Sequence, residues 1–152
     1  MSEEKVFMKK ILSILAVSAA SAFLYASDVY TQDANLLPED SRAFILQNFG
    51  SEKIDGIKIE KDWGFVKDYT VSLSDSTKLE FYRDGDWKSV ENKAFGVPSK
   101  LLPQPMSEYI AKKYPTAKVL ELEKKHYGFK VKLSSFVELR FDKSGTFLGV
   151  DL

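Results

Sequence analysis

Two stretches decide the fold: LEFYRDGDWKSV (residues 79–90) and LRFDKSGTFLGV (residues 139–150). Each opens with alternating apolar and polar residues. Each then breaks at an acidic and glycine turn, Asp84-Gly85 in the first and Asp142 to Gly145 in the second. Each resumes with an aromatic residue and, three residues later, a valine. Aspartate and glycine tolerate the positive φ that tight hairpin turns demand. Each phrase therefore reads as a β-hairpin, and the two phrases lie 60 residues apart.

The likeness extends outward. LPEDSRAFILQNF from Leu37 matches LPQPMSEYIAKKY from Leu102, at an offset of 65, and YTVSL from Tyr69 matches FKVKL from Phe129, at an offset of 60. The first copy thus carries five extra residues, within EKDWGFVKD at 60–68. Leu-Pro suits the first turn of a helix, where the N–H that proline lacks would be unpaired anyway. Phe44, Ile45 and Phe49 recur at helical spacing, as do Met106, Tyr109 and Ile110. Gly50 and Pro115 can stop the two helices. Beyond each helix, four strands are expected. Tyr69, Val71 and Leu73 point to one side, as do Phe129, Val131 and Leu133, while Thr70, Ser72, Lys130 and Lys132 point to the other. That alternation describes an antiparallel sheet with one wet face. The expected class is α+β: a tandem repeat of a helix plus a four-stranded antiparallel unit, sharing one curved sheet with the helices on one face. The repeats span 37–91 and 102–152 and form a single domain, 37–152. A unit of about 50 residues is too small to bury a comfortable core alone.

The 152 residues are 44% hydrophobic and 29% charged, with no net charge. The even balance lacks the basic face of a nucleic-acid binder. The absence of cysteine excludes disulfides, thiolate metal sites, a cysteine nucleophile and a lipidated cysteine anchor. Charge is uneven along the chain. Residues 28–98 hold 9 Lys and Arg against 14 Asp and Glu, a net of −5, and residues 99–152 hold 10 against 6, a net of +4. Two halves attracting each other is the preferred reading, over a polarised surface that orients a partner.

MKKILSILAVSAASAFLYAS from Met8 has a basic start, an apolar run from Ile11 to Val17 and small residues up to Ala26. This is the layout of a secretory signal peptide. A membrane anchor would need about 20 apolar residues, and Ser13, Ser18 and Ser21 interrupt this run. Residues 1–26 are read as a signal peptide, with Met8 as an alternative start because Glu3 and Glu4 precede it. Residues 27–36 are expected to be a loose segment. The mature protein is expected in the periplasm, with no stable membrane anchor after cleavage.

In both copies, Leu-Pro opens a short helix, Phe or Tyr precedes its stop, and a Y-x-V-x-L or F-x-V-x-L strand leads to L-x-F and an acidic-Gly turn. This order resembles the PepSY-like family of small exported bacterial proteins, described as β-lactamase-inhibitor-like. The resemblance covers Leu37 to Leu152. It implies helices packed on an antiparallel sheet, and a docking surface made of the open sheet face and hairpin tips. The secreted β-lactamase inhibitors it evokes carry disulfides that this chain lacks, so similar shape does not carry over their target.

No catalytic constellation is present and no cofactor is expected. His126, in EKKHYGF, has no acidic or serine partner by spacing and reads as a solvated turn residue. Asp84 and Asp86 flank a hairpin glycine rather than a calcium loop, which needs more oxygen ligands. Glu121 and Glu123 read as a wet strand face. Large aromatics at turns can serve as interface anchors. The candidates for partner binding are Trp63, Phe65, Asp75 and Phe136, with local packing as the competing explanation. The expected function is a non-catalytic module that docks or inhibits an exported protein or peptide. A structural or envelope-stress accessory role is the alternative.

Overall fold

A computed structural model describes residues 27–151. The segment read as a signal peptide, 1–26, lies outside the described residues. The chain runs through β1 (Val29–Thr31), a 3-10 turn (Ala34–Leu36), α1 (Glu39–Phe49), β2 (Ile54–Asp62), β3 (Phe65–Leu73), β4 (Lys78–Tyr82) and β5 (Trp87–Glu91). A second 3-10 turn (Ser99–Leu101) leads to α2 (Gln104–Lys113), β6 (Val119–Lys125), β7 (Gly128–Leu133), β8 (Glu138–Asp142) and β9 (Phe147–Asp151).

The expected α+β class is corrected. All nine strands form one antiparallel sheet in sequence order, each hydrogen-bonded to the next, and the only α-helices among the described residues are 11 and 10 residues long. The fold is mostly β, a nine-stranded meander, and not a tandem helix-plus-four-strand repeat. Two findings overturn the repeat. Strand β1 pairs with β2 through Val29–Ile59, Tyr30–Lys58 and Thr31–Ile57, ahead of any helix. Strand β5 pairs with β6 through Ser89–Glu123, Val90–Leu122 and Glu91–Glu121, so the sheet crosses the midpoint of the chain without a break. The same β1 replaces the loose segment expected at 27–36, where Asp33 also caps the 3-10 turn through the Asn35 N–H.

Alternation fixes the two faces. Ile57, Ile59, Tyr69, Val71, Leu73, Leu79, Phe81, Val90, Leu122, Val131, Leu133, Leu139 and Phe141 are buried together, and Ile45 and Phe49 of α1 and Met106 and Ile110 of α2 join them. Burial of this apolar surface is what holds the helices to the sheet, because each is too short to be stable alone. Aromatic contacts knit the layers. Phe44 meets Phe81 edge-on at 5.8 Å, and Tyr109 meets Phe141 edge-on at 5.7 Å. Trp87 is stacked between Phe44 and Phe129, with ring centroids 5.7 and 6.3 Å away, and so ties the two halves together.

Four of the connections are the same three-residue hairpin loop. In each, a residue with positive φ donates its N–H back across the loop: Ser76 to Leu73, Gly85 to Tyr82, Phe136 to Leu133 and Gly145 to Asp142. At two of them glycine is obligatory for a second reason. A Cβ on Gly85 would stand 2.8 Å from Cβ of Pro38, and one on Gly145 would stand 2.8 Å from Cβ of Pro103. The Leu-Pro helix starts and the acidic-Gly turns of the sequence are therefore packed against each other, and Ser41 Oγ adds a hydrogen bond to the Gly85 carbonyl at 3.1 Å.

Candidate functional site

The five extra residues of the first half do not form a loop. They lengthen β2 and β3 to nine residues each, and Asp62 pairs with Phe65 across a two-residue turn. That turn is Trp63-Gly64, with φ of 50° and 83°. A two-residue turn with both φ positive matches the right-handed twist of its strands, and it favours Asn-Gly or Asp-Gly. Here a tryptophan occupies the first position. Trp63 is 90% exposed and Phe65 is 76% exposed. Among the described residues, neither takes part in an aromatic pair or in the core.

Phe136 holds the left-handed position of the β7–β8 turn at φ 64° and is 88% exposed. The corresponding residue of the β3–β4 turn is Ser76, at φ 69°. Asp75, its neighbour, serves its own turn. One carboxylate oxygen accepts from the Thr77 N–H and the other from the Thr77 hydroxyl, both at 2.9 Å. Buried Asn92 closes the same corner by donating to Thr77 Oγ1 at 2.9 Å and accepting from the N–H groups of Ala94 and Phe95. The sequence gives Asn92 no role beyond starting a linker. Its signal was an asparagine followed by amides two and three residues on, the pattern of a side-chain-capped turn.

Because the sheet is a meander, its turns alternate between two ends. The β2–β3, β4–β5, β6–β7 and β8–β9 turns lie at one end, and the β3–β4 and β7–β8 turns lie at the other. Trp63 and Phe65 are thus at the opposite end from Asp75 and Phe136, and the four candidates do not form one surface. Phe95, also exposed, follows β5 at the Phe136 end.

The outer face of the sheet is charged and largely self-neutralised. Lys58 lies between Asp28 and Glu60 at 3.1 and 2.7 Å, Lys88 meets Asp68 at 3.0 Å, and Lys130 meets Glu138 at 3.1 Å and Glu123 at 3.4 Å. At the centre, Glu91 and Glu121 stand directly opposite each other across the β5–β6 seam, and Glu91 also meets Lys93 at 3.3 Å. Burial first, then the charges of Glu123 and Glu91, push the Glu121 carboxyl above its ordinary value. Like charges directly opposite destabilise a strand pair. His126 is exposed and stacks edge-on with Tyr127 at 5.2 Å. Asp86 is engaged by Lys124 at 2.7 Å, and Asp84 accepts from the Asp86 N–H at 3.1 Å. Among the described residues no group of three or more His, Asp or Glu is placed to hold a metal ion. No described helix is long and apolar enough to cross a membrane.

No curated protein matches the chain. Solved structures do. A protein of Bacteroides vulgatus, described as a "putative periplasmic protein of unknown function", is 35% identical with a TM-score of 0.75, over 83% of this chain and 100% of its own. A "putative calcium-regulated periplasmic protein" of Bacteroides thetaiotaomicron is 31% identical with a TM-score of 0.74, over 82% of this chain and 97% of its own. A further "putative periplasmic protein" of B. vulgatus is 32% identical with a TM-score of 0.71, over 83% and 98%. Residues 67–149, from β3 into β9, match the family described as "Putative beta-lactamase-inhibitor-like, PepSY-like". The chain belongs to this PepSY-like family.

Proposed function

We propose that the protein is an exported periplasmic docking module without catalytic activity, which holds a protein or peptide partner through the aromatic side chains at its hairpin tips. One observation carries this reading. Trp63 and Phe136 are bulky residues kept at positive φ while 90% and 88% exposed. A left-handed conformation costs a non-glycine residue about 1–2 kcal/mol, and burial of the side chain returns none of it here. Such strain in an unburied aromatic is what a binding anchor looks like before its partner arrives. The periplasmic description of the similar structures supports the location, and the N-terminal signal layout agrees with it.

The Trp63–Phe65 tip is the stronger anchor, because it presents two aromatics on a hairpin extended beyond its counterpart. The test begins with cross-linking in the periplasm and identification of the captured partner by mass spectrometry. Affinity is then measured for Trp63→Ala and Phe136→Ala. An anchor lost should weaken binding by about 2 kcal/mol, roughly 30-fold, with the fold intact. Unchanged affinity in both variants refutes the reading. A panel of hydrolases, β-lactamases included, assayed with and without the protein, separates an inhibitor from a binder. Export is checked by intact mass: the periplasmic form should begin between Phe23 and Asp28.

A further inference from the structure

On the outer face, at the corner made by β1, β2 and β3, lies a groove of about 620 Å³, within the size range of small-molecule sites. Its origin is Gly56. This glycine faces outward beside a bulge in β2, and a Cβ placed on it would meet nothing within 4 Å. Tyr30 of the edge strand β1 forms one wall, 74% exposed and outside every aromatic contact of the core. Gln32, Asp55, Thr70 and Ser72 line the rest.

The chemistry of this corner differs from that of the remaining outer face. Elsewhere, the Glu91–Glu121 seam aside, lysines pair with acids, as Lys88 does with Asp68 and Lys130 with Glu138. Here the Asp55 carboxylate and the Thr70 and Ser72 hydroxyls make no hydrogen bond or ion pair to any described residue. The Gln32 amide nitrogen donates to the Asp55 backbone carbonyl at 2.8 Å, which fixes the side chain and leaves its carbonyl oxygen free. Among the described lining residues Lys58 is the one cation, and it is spent on Glu60 and Asp28, which hold its pKa well above the ordinary lysine value.

We propose that this groove binds a neutral saccharide. A sugar ring offers an apolar C–H face to an aromatic wall, and hydroxyls that both donate and accept around its rim. Tyr30 supplies the wall. Asp55 and Gln32 accept from hydroxyls, while Thr70 and Ser72 do either. Anionic ligands are disfavoured, because the neutralised lysine offers them nothing and the Asp55 carboxylate repels them. On the floor itself an extended peptide finds no backbone partners, because the groups between β1, β2 and β3 are paired with one another; strand addition would use the outer edge of β1, which pairs with β2 alone among the described strands.

The test uses the purified protein with cellohexaose, xylohexaose and mannohexaose, and with hexagalacturonic acid and a heparin hexasaccharide as anionic arms. Binding is read by saturation-transfer NMR and titration calorimetry. At least one neutral sugar should bind with a Kd below about 1 mM. Tyr30→Ala should weaken it by about tenfold or more. Gly56→Leu should abolish it by filling the groove, and should shift Tm by less than about 2 °C because the added side chain enters open space. Trp63→Ala should leave sugar binding unchanged, so this proposal and the docking role stand or fall separately. The proposal is overturned if no neutral sugar binds at millimolar concentration, if only the anionic sugars bind, or if binding survives both Tyr30→Ala and Gly56→Leu.

Discussion

Phe136→Gly should make the protein more stable. Phe136 sits at φ 64° in the β7–β8 turn, in the place that glycine takes in the β4–β5 and β8–β9 turns, and its side chain is almost wholly in solvent. Removing the side chain relieves a left-handed penalty of about 1–2 kcal/mol. Against this, glycine loses more backbone entropy on folding, about 0.5–1 kcal/mol. The balance is a gain of about 0.5–1 kcal/mol, or about 2–4 °C in Tm for a domain of this size. Phe136→Ala is the control. Alanine removes the ring but keeps a Cβ at positive φ, so its Tm should stay near that of the parent. The difference between the glycine and alanine variants then isolates the backbone contribution. Urea melts and calorimetry on the three proteins decide the matter. A glycine variant less stable than the parent by 1 kcal/mol or more would mean that the ring makes contacts its exposure denies, and the strain argument would fail at this tip.

Phe81→Ala and Phe141→Ala remove fully buried rings and should each cost about 3–5 kcal/mol in urea unfolding; a loss under about 1 kcal/mol would place them on the wrong face. Gly85→Ala should cost about 2 kcal/mol or more, because the new Cβ meets Pro38 and the residue stays at φ 95°, and a neutral result would refute the packing of that turn against the start of α1. Glu121 has a folded pKa raised above 4.5, so its protonation adds stability that is present below that value and lost as pH rises through the folded one. Glu121→Gln should therefore flatten the pH dependence of the urea midpoint in the mildly acidic range and lose nothing at pH 7; a variant that keeps the slope would clear Glu121 of responsibility.

The hairpins were legible because their information is local. Alternation over five residues and an acidic-Gly turn suffice to place β4–β5 and β8–β9, and the inward residues Phe81 and Phe141 follow from period two. Strand β1 was not legible. Three residues, Val29 to Thr31, cannot display a period, and their strand state comes from pairing with Ile57 to Ile59, almost thirty residues away. The fold class was not legible for a related reason. Repetition in the sequence weighed each helix equally with its four strands, whereas the hydrogen bonds across Ser89–Glu123 to Glu91–Glu121 make the continuous sheet the structural unit. No local pattern announces that seam. Its two strands carry facing glutamates, which read separately as ordinary wet positions.

The candidate anchors divide along the same line. Trp63 and Phe65 could be singled out from the surplus of one half over the other, because a segment that the fold does without in one place is available for another use. What the sequence could not convey is the strain. Trp-Gly gives no hint that tryptophan would adopt φ 50°, since that angle is imposed by the pairing of Asp62 with Phe65 on a hairpin of fixed twist. Asp75 carries a structural role that its place beside a tip does not reveal. Its carboxylate accepts two hydrogen bonds from Thr77, and Thr77 is in turn held by Asn92 from beyond β5. The Gly56 groove was hidden for a third reason. A glycine in a strand signals a bulge or a close approach, and only the neighbours supplied by β1 and β3 decide whether the space above it is filled. Here Tyr30 stands at its edge and Ser72 is short, so the space stays open.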